Sequence, residues 1–156
     1  FKFDVAYTSV LIRAIDTLRI ILRLMKHPKI PIKKDKALNE RDYGNLIGMN
    51  KDEARKKYGE EQVRIWRRSY DVRPPSGESL KDTAARTLPY FNKQIMKDLK
   101  RGKNIIVSAH GNSLRSIVMK LDKLGKEQVI KLEIPTGIPI VYNIAKNGKI
   151  LYKKIL

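Results

Sequence analysis

Continuous apolar runs alternate along this chain with segments whose apolar positions recur every three or four residues, the signatures of buried strands and one-faced helices. Residues 3–8 form a short apolar run that predicts a strand. Residues 10–25 place Leu11, Ala14, Ile15, Leu18, Leu22 and Met25 on one helical face. His27-Pro28 is expected to stop that helix, because the residue before a proline is pushed out of the helical region. Residues 30–34 alternate as a strand with one exposed face does. Residues 39–49, with Gly44 and Gly48, read as a loop, and Asn50 is placed to cap a short helix over Lys51–Tyr58. Gly59 ends it, and a further helix is predicted over residues 60–70.

Pro74-Pro75-Ser76-Gly77 is the clearest loop. Ser79 and Asp82 have the capping-box spacing and open a long amphipathic helix expected to stop near Gly102. Residues 104–109 are apolar and β-branched enough to predict an interior strand, which needs neighbours on both edges. His110-Gly111-Asn112 follows as a turn, and a helix then carries Leu114, Ile117, Val118 and Leu121. A short helix over residues 127–132 precedes Pro135-Thr136-Gly137. Residues 138–144 and 149–156 flank Asn147-Gly148 and predict a hairpin, since Asn-Gly favours the tight turn between antiparallel strands. This order predicts an α/β fold: a three-layer sandwich with a mostly parallel central sheet, flanking helices and a C-terminal antiparallel hairpin. The length suits one domain, residues 1–156.

Composition narrows the chemistry. The absence of cysteine excludes a disulfide framework, a thiolate nucleophile and a zinc site built on sulfur. His27 and His110 lie far apart in sequence, so no metal is expected. No apolar run approaches the roughly 18 residues of a bilayer span, so no membrane partner is expected. The net charge of +18 asks for a polyanionic partner or a solvated basic surface. The basic residues spread from Lys2 to Lys154 in short clusters such as Lys33-Lys34 and Arg67-Arg68, without a zinc finger, an RNP-like aromatic box or a basic arm. A nucleic-acid partner is therefore not expected, and a basic nucleic-acid-binding module stands as the alternative of another class.

Three clusters can carry chemistry. His110 sits at the carboxyl tip of a predicted strand, with Gly111-Asn112 opening the next helix, where ligands bind in open α/β sheets and free amides favour an anion. A histidine there can donate to a phosphoryl oxygen or shuttle a proton, and an ordinary turn histidine is the alternative. Glu40 follows a strand in a glycine-bounded loop and could act as general acid or base, or simply pair with an arginine. Arg67-Arg68 after Trp66, together with Arg13, offer guanidinium forks suited to phosphate or carboxylate, although each alone reads as a solvated helix residue.

Together these segments are more specific. Tyr7-Thr8-Ser9-Val10-Leu11-Ile12-Arg13-Ala14, Leu38-Asn39-Glu40-Arg41-Asp42-Tyr43-Gly44, Trp66-Arg67-Arg68, Ser108-Ala109-His110-Gly111-Asn112-Ser113-Leu114-Arg115 and Ile134-Pro135-Thr136-Gly137-Ile138-Pro139 occur in this order. The chain closely resembles the cofactor-dependent phosphoglycerate mutases, within the histidine phosphatase superfamily, over essentially its whole length. The resemblance implies interconversion of 3-phosphoglycerate and 2-phosphoglycerate through a phosphohistidine, primed by 2,3-bisphosphoglycerate and without a metal. It implies that Glu40 handles the proton of the substrate hydroxyl and that His110 is the second active-site histidine. It implies further that Arg13, Lys51, Arg67 and Arg68 are cationic ligands, with Arg41, Tyr43, Gly111 and Asn112 supplying the remaining contacts. A cytoplasmic enzyme acting on small phosphoglycerates is expected, with a homodimer among the assemblies such mutases form.

The family's nucleophile lies in an Arg-His-Gly motif on an N-terminal strand, and that motif does not occur in residues 1–156. His27 lacks the surrounding pattern. Phe1 is not an initiator methionine, so a preceding segment is expected, and the 156 residues alone are expected to be inactive. An inactive C-terminal fragment and a phosphatase of the same superfamily are the enzymatic alternatives.

Overall fold

The computed structural model describes residues 1–27 and 29–156. Pro28, half of the expected stop to the first helix, lies outside them. Strand β1 (Val5–Thr8) is buried at all four positions because it has a strand on each side. It pairs in parallel with β2 (Ile32–Lys34), where Ala6 faces Ile32, and with β3 (Ile105–Ser108), where Thr8 faces Ser108. The order β2-β1-β3 is therefore a small parallel sheet with β1 in the middle.

Alternation along β1 sends its side chains to opposite faces. Ala6 packs with Leu18 and Leu22 of helix α1 (Ile12–Leu24). Val5 and Tyr7 pack on the other face with Leu38, Phe91, Ile95 and Ile117. That face is covered by α4 (Leu80–Tyr90), a π turn (Phe91–Ile95), α5 (Met96–Lys100) and α6 (Gly111–Leu121). Helix–sheet–helix layering is thus built from the two apolar stripes predicted in sequence.

The long helix does not run evenly to Gly102. Pro89 has no N–H to give the carbonyl of Ala85, and directly after it the Met96 amide reaches back five residues to the Phe91 carbonyl. Its start is as expected: Ser79 Oγ accepts from the Asp82 amide at 3.2 Å and Asp82 Oδ2 accepts from the Ser79 amide at 2.9 Å. Helix α2 (Lys51–Tyr58) likewise opens on a box between Asn50 and Glu53 and packs with α3 (Glu60–Arg68) around Ala54, Val63 and Trp66. Gly44 stands at φ +54°, where a side chain would collide with the Pro75 carbonyl. The loops around 44 and 75 interlock there, with the Asn45 amide donating to Pro75 O at 2.9 Å and the Glu78 amide to Asp42 O at 2.7 Å.

Strand β3, whose apolarity predicts neighbours on both edges, pairs among the described residues with β1 alone, and all four of its residues are half-buried. Strands β4 (Ile140–Ile144) and β5 (Ile150–Ile155) form the expected antiparallel hairpin, but as a separate sheet. Between β3 and β4 lies an apolar cleft of about 240 Å³, bounded by Ile105, Val107, Ile117, Leu121, Ile140 and Tyr142. The apolarity that predicted a two-sided strand therefore faces this cleft. Helix α7 (Lys126–Lys131) precedes the hairpin and buries Val129.

Candidate active site

The carboxyl ends of β1 and β3 stand side by side, because parallel pairing in register brings Thr8 beside Ser108. The residues that follow, Ser9 and His110, are both buried, with Ser9 Oγ 2.8 Å from His110 Nε2. His110 precedes α6, and Gly111 and Asn112 form that helix's first turn. Burial lowers the His110 pKa most, and Arg13 lowers it further against the opposing charge of Glu40. The imidazole is therefore held toward its neutral form at physiological pH.

Glu40 reaches this helix start from the loop after β2. Its Oε1 accepts from the Arg41 amide at 2.8 Å and from the Asn112 amide at 3.1 Å. Its Oε2 lies 3.8 Å from where a side-chain carbon on Gly111 would sit. The Asn112 side chain donates to Tyr43 OH at 3.2 Å, so Glu40, Tyr43, Gly111 and Asn112 form one connected group.

Tyr43 carries two cations on its ring, Arg41 at 4.5 Å and Arg67 at 5.5 Å from the centroid. Beyond it, Arg41, Arg67, Arg68 and Arg115 line one small recess with Ser69. Nε of Arg41, Arg67 and Arg115, and Oγ of Ser69, are buried there with no hydrogen-bond partner among the described residues. Burial, then Arg41, lower the Arg115 pKa, and Arg68 adds to this. Uncompensated buried donors of one charge are costly, and an anion is the group that relieves them. Adjacent positions 67 and 68 do reach one recess, as their helix ends beside it.

Two expected residues stand apart. Arg13 is exposed in the first turn of α1 and faces the site only through its charge on His110. Lys51 is exposed at the start of α2, and no hydrogen bond among the described residues ties it to the others.

Sequence reading passed over three residues. Arg115 ends the segment Ser108–Arg115, but its position one turn beyond Gly111 on α6 gave no sign of a recess. Ser9 required the β1–β3 pairing to be known. Arg86 of α4 is the third. Its Nη1 donates to the carbonyl of Ala37 at 3.0 Å, and its Nη2 donates to those of Asn39 and Glu40 at 3.1 and 3.0 Å. It also forks onto Glu78 at 2.8 and 2.9 Å. The Glu40 loop is thus fastened by one guanidinium. Arg86→Ala is expected to destabilise the fold by about 1–3 kcal/mol, since it orphans several half-buried carbonyls and a carboxylate. Denaturant midpoints would read this, with faster amide exchange at residues 36–41 as the local sign.

Comparison with known proteins bears on the family and the fold. Residues 1–153 match the sequence model of the histidine phosphatase superfamily (branch 1). A protein of Nitrobacter hamburgensis, named 2,3-bisphosphoglycerate-dependent phosphoglycerate mutase, is 59% identical over 153 residues, 98% of this chain and 74% of its own length. One of the same name from Parvibaculum lavamentivorans is 58% identical over 154 residues, 99% of this chain and 73% of its own length. Among solved structures, a mycobacterial glucosyl-3-phosphoglycerate phosphatase superposes with a TM-score of 0.75 at 20% identity, over 97% of this chain and 75% of that one. The alpha-ribazole phosphatase of Shigella flexneri does so at 0.77 and 19% identity, over 92% and 68%. The first pair fixes the branch and the second the fold: the chain belongs to the histidine phosphatase superfamily, among its 2,3-bisphosphoglycerate-dependent phosphoglycerate mutases.

Proposed function

We propose that this chain carries the acid–base and anion-binding part of an enzyme that interconverts 3-phosphoglycerate and 2-phosphoglycerate through a phosphohistidine. The observation that carries the reading is the meeting of three elements. Glu40 is locked on the Asn112 amide, His110 lies at the start of the same helix, and four arginines surround an unpaired recess beside them. Phosphoryl transfer asks a protein mainly for positioning and charge stabilisation, and these residues supply both.

The clustering of Arg41, Arg67, Arg68 and Arg115, three of them with a buried, unpartnered Nε, supports an anionic substrate or primer beside Glu40. When bound, 2,3-bisphosphoglycerate supplies the phosphoryl group that primes the enzyme. His110 donates a hydrogen bond to the phosphoryl oxygens, and the Gly111 and Asn112 segment presents the helix start. Glu40 Oε2 takes the substrate hydroxyl proton as that oxygen becomes a nucleophile, and returns it in the reverse direction. Arg13 adds positive charge at the rim, and Lys51 would contribute its charge from the first residue of α2. The accepting histidine belongs on a strand seated between β3 and β4, where an unpaired edge and an apolar cleft are ready for one.

The test is an assay of an enzyme that includes such a strand, following isomerisation of phosphoglycerate and release of inorganic phosphate side by side. Isomerisation should dominate; phosphate release alone would assign a phosphatase. In the same enzyme, Arg67→Ala and Arg68→Ala should each weaken binding of the bisphosphate by roughly 10-fold or more, since a charge-assisted fork contributes about 1.5–3 kcal/mol. Unchanged affinity in both, measured by calorimetry, would make them ordinary surface arginines.

A further inference from the structure

We infer that Ser9 is a positioning residue that fixes which nitrogen of His110 carries the proton, leaving Nδ1–H as the donor available to a ligand. The two residues are 101 positions apart and meet only because β1 and β3 are adjacent and in register. Both are buried, so neither can satisfy its hydrogen bonds with bulk water.

The assignment follows from the serine's own partners. Ser9 Oγ accepts from the Leu11 amide at 3.2 Å, where α1 begins. Its hydroxyl hydrogen remains to be placed, and the neighbouring acceptor is His110 Nε2 at 2.8 Å. If Nε2 carried the proton, two donors would face each other unless the serine hydrogen turned away, and in a buried site that hydrogen would then have no acceptor. With Ser9 donating to Nε2, every hydrogen at the contact is used. The imidazole proton then sits on Nδ1.

The charged groups around His110 do not reverse this. Arg13 on α1 and Arg86 on α4 oppose a second proton, and Glu40 from the loop after β2 favours one. A neutral ring with Nδ1–H is the state in which a donor faces the phosphoryl group without a competing intramolecular bond. Only that last consequence rests on the functional reading above; the tautomer does not.

Imidazole nitrogen shifts in the isotopically labelled enzyme, with the strand between β3 and β4 included, test the inference without substrate. Residues 1–156 hold two histidines, so His27 serves as an internal reference. The expected spectrum has His110 overwhelmingly protonated at Nδ1, with a pyridine-like Nε2. In Ser9→Ala the ring should lose this bias and become a mixture or the Nε2–H form, while His27 stays unchanged. Ser9→Thr, which keeps the hydroxyl, should retain the Nδ1–H signature. An Nε2–H ring in the unsubstituted chain would overturn the proposal outright, even if neither variant folded. An unaltered tautomer in folded Ser9→Ala would also overturn it. Failure of phosphoglycerate turnover would leave these signals as they are, so the two readings fail separately.

Discussion

Glu40→Gln, made in an enzyme that includes the phosphate-accepting histidine, is expected to lower isomerisation turnover by roughly 10² to 10⁴-fold, the usual contribution of a positioned acid–base group. The substitution isolates chemistry from architecture. Glu40 is held through Oε1, which accepts from the Arg41 and Asn112 amides, and a glutamine carbonyl oxygen can keep both bonds. What it cannot keep is the basicity at Oε2. Substrate affinity should therefore change little while turnover collapses, a split that steady-state kinetics reads directly. Turnover within a few-fold of the parent would remove Glu40 from the reaction.

The second large effect is on stability. Asp98 is buried on α5, and its carboxylate accepts from Tyr7 OH at 2.6 Å, Lys33 Nζ at 2.8 Å and Lys103 Nζ at 3.0 Å. These donors come from β1, β2 and the turn after α5, so one carboxylate joins the sheet to the helical layer. Asp98→Asn is expected to destabilise the fold by about 2–4 kcal/mol. Removing one member of a buried pair approaches the upper figure, and the partial exposure of both lysines reduces it. The hydrogen bond from Lys33, then that from Tyr7, hold the Asp98 carboxyl well below its ordinary value of 3.8. A depressed folded-state value means the stabilisation is present above the unfolded value and is lost as pH falls below it. Below about pH 4, then, the parent should lose stability faster than the variant, and the two denaturation curves should converge. Parallel curves would show that Asp98 is not the titrating group.

Much of the fold was legible because its signals are local. The stripe on α1, the Asn50 and Ser79 caps and the Asn-Gly hairpin each depend on residues within one or two turns of one another. Glu40, His110, Tyr43 and Asn112 were legible as residues, through motif resemblance, but their mutual contacts were not. Ser9 meets His110 through strand pairing, and Arg86 reaches Glu40 across 46 positions; neither spacing leaves a trace in sequence. The environment of β3 was legible only in part, for a related reason. Apolarity reports that a strand is to be covered on both sides, but not which segment covers it.

The π turn at Phe91–Ile95 has an evolutionary reading. It behaves as a single inserted residue absorbed within a helix, and each residue added or removed turns everything beyond it by about 100°. Asp98 lies three positions past that turn, on the side where Tyr7 and Lys33 meet it. Deleting one residue between 91 and 95 would restore an even helix and swing the carboxylate off its partners. A lineage that loses this residue must therefore give up the buried ion pair or move its acid by one position, so length in this stretch is constrained even where side-chain identity is not.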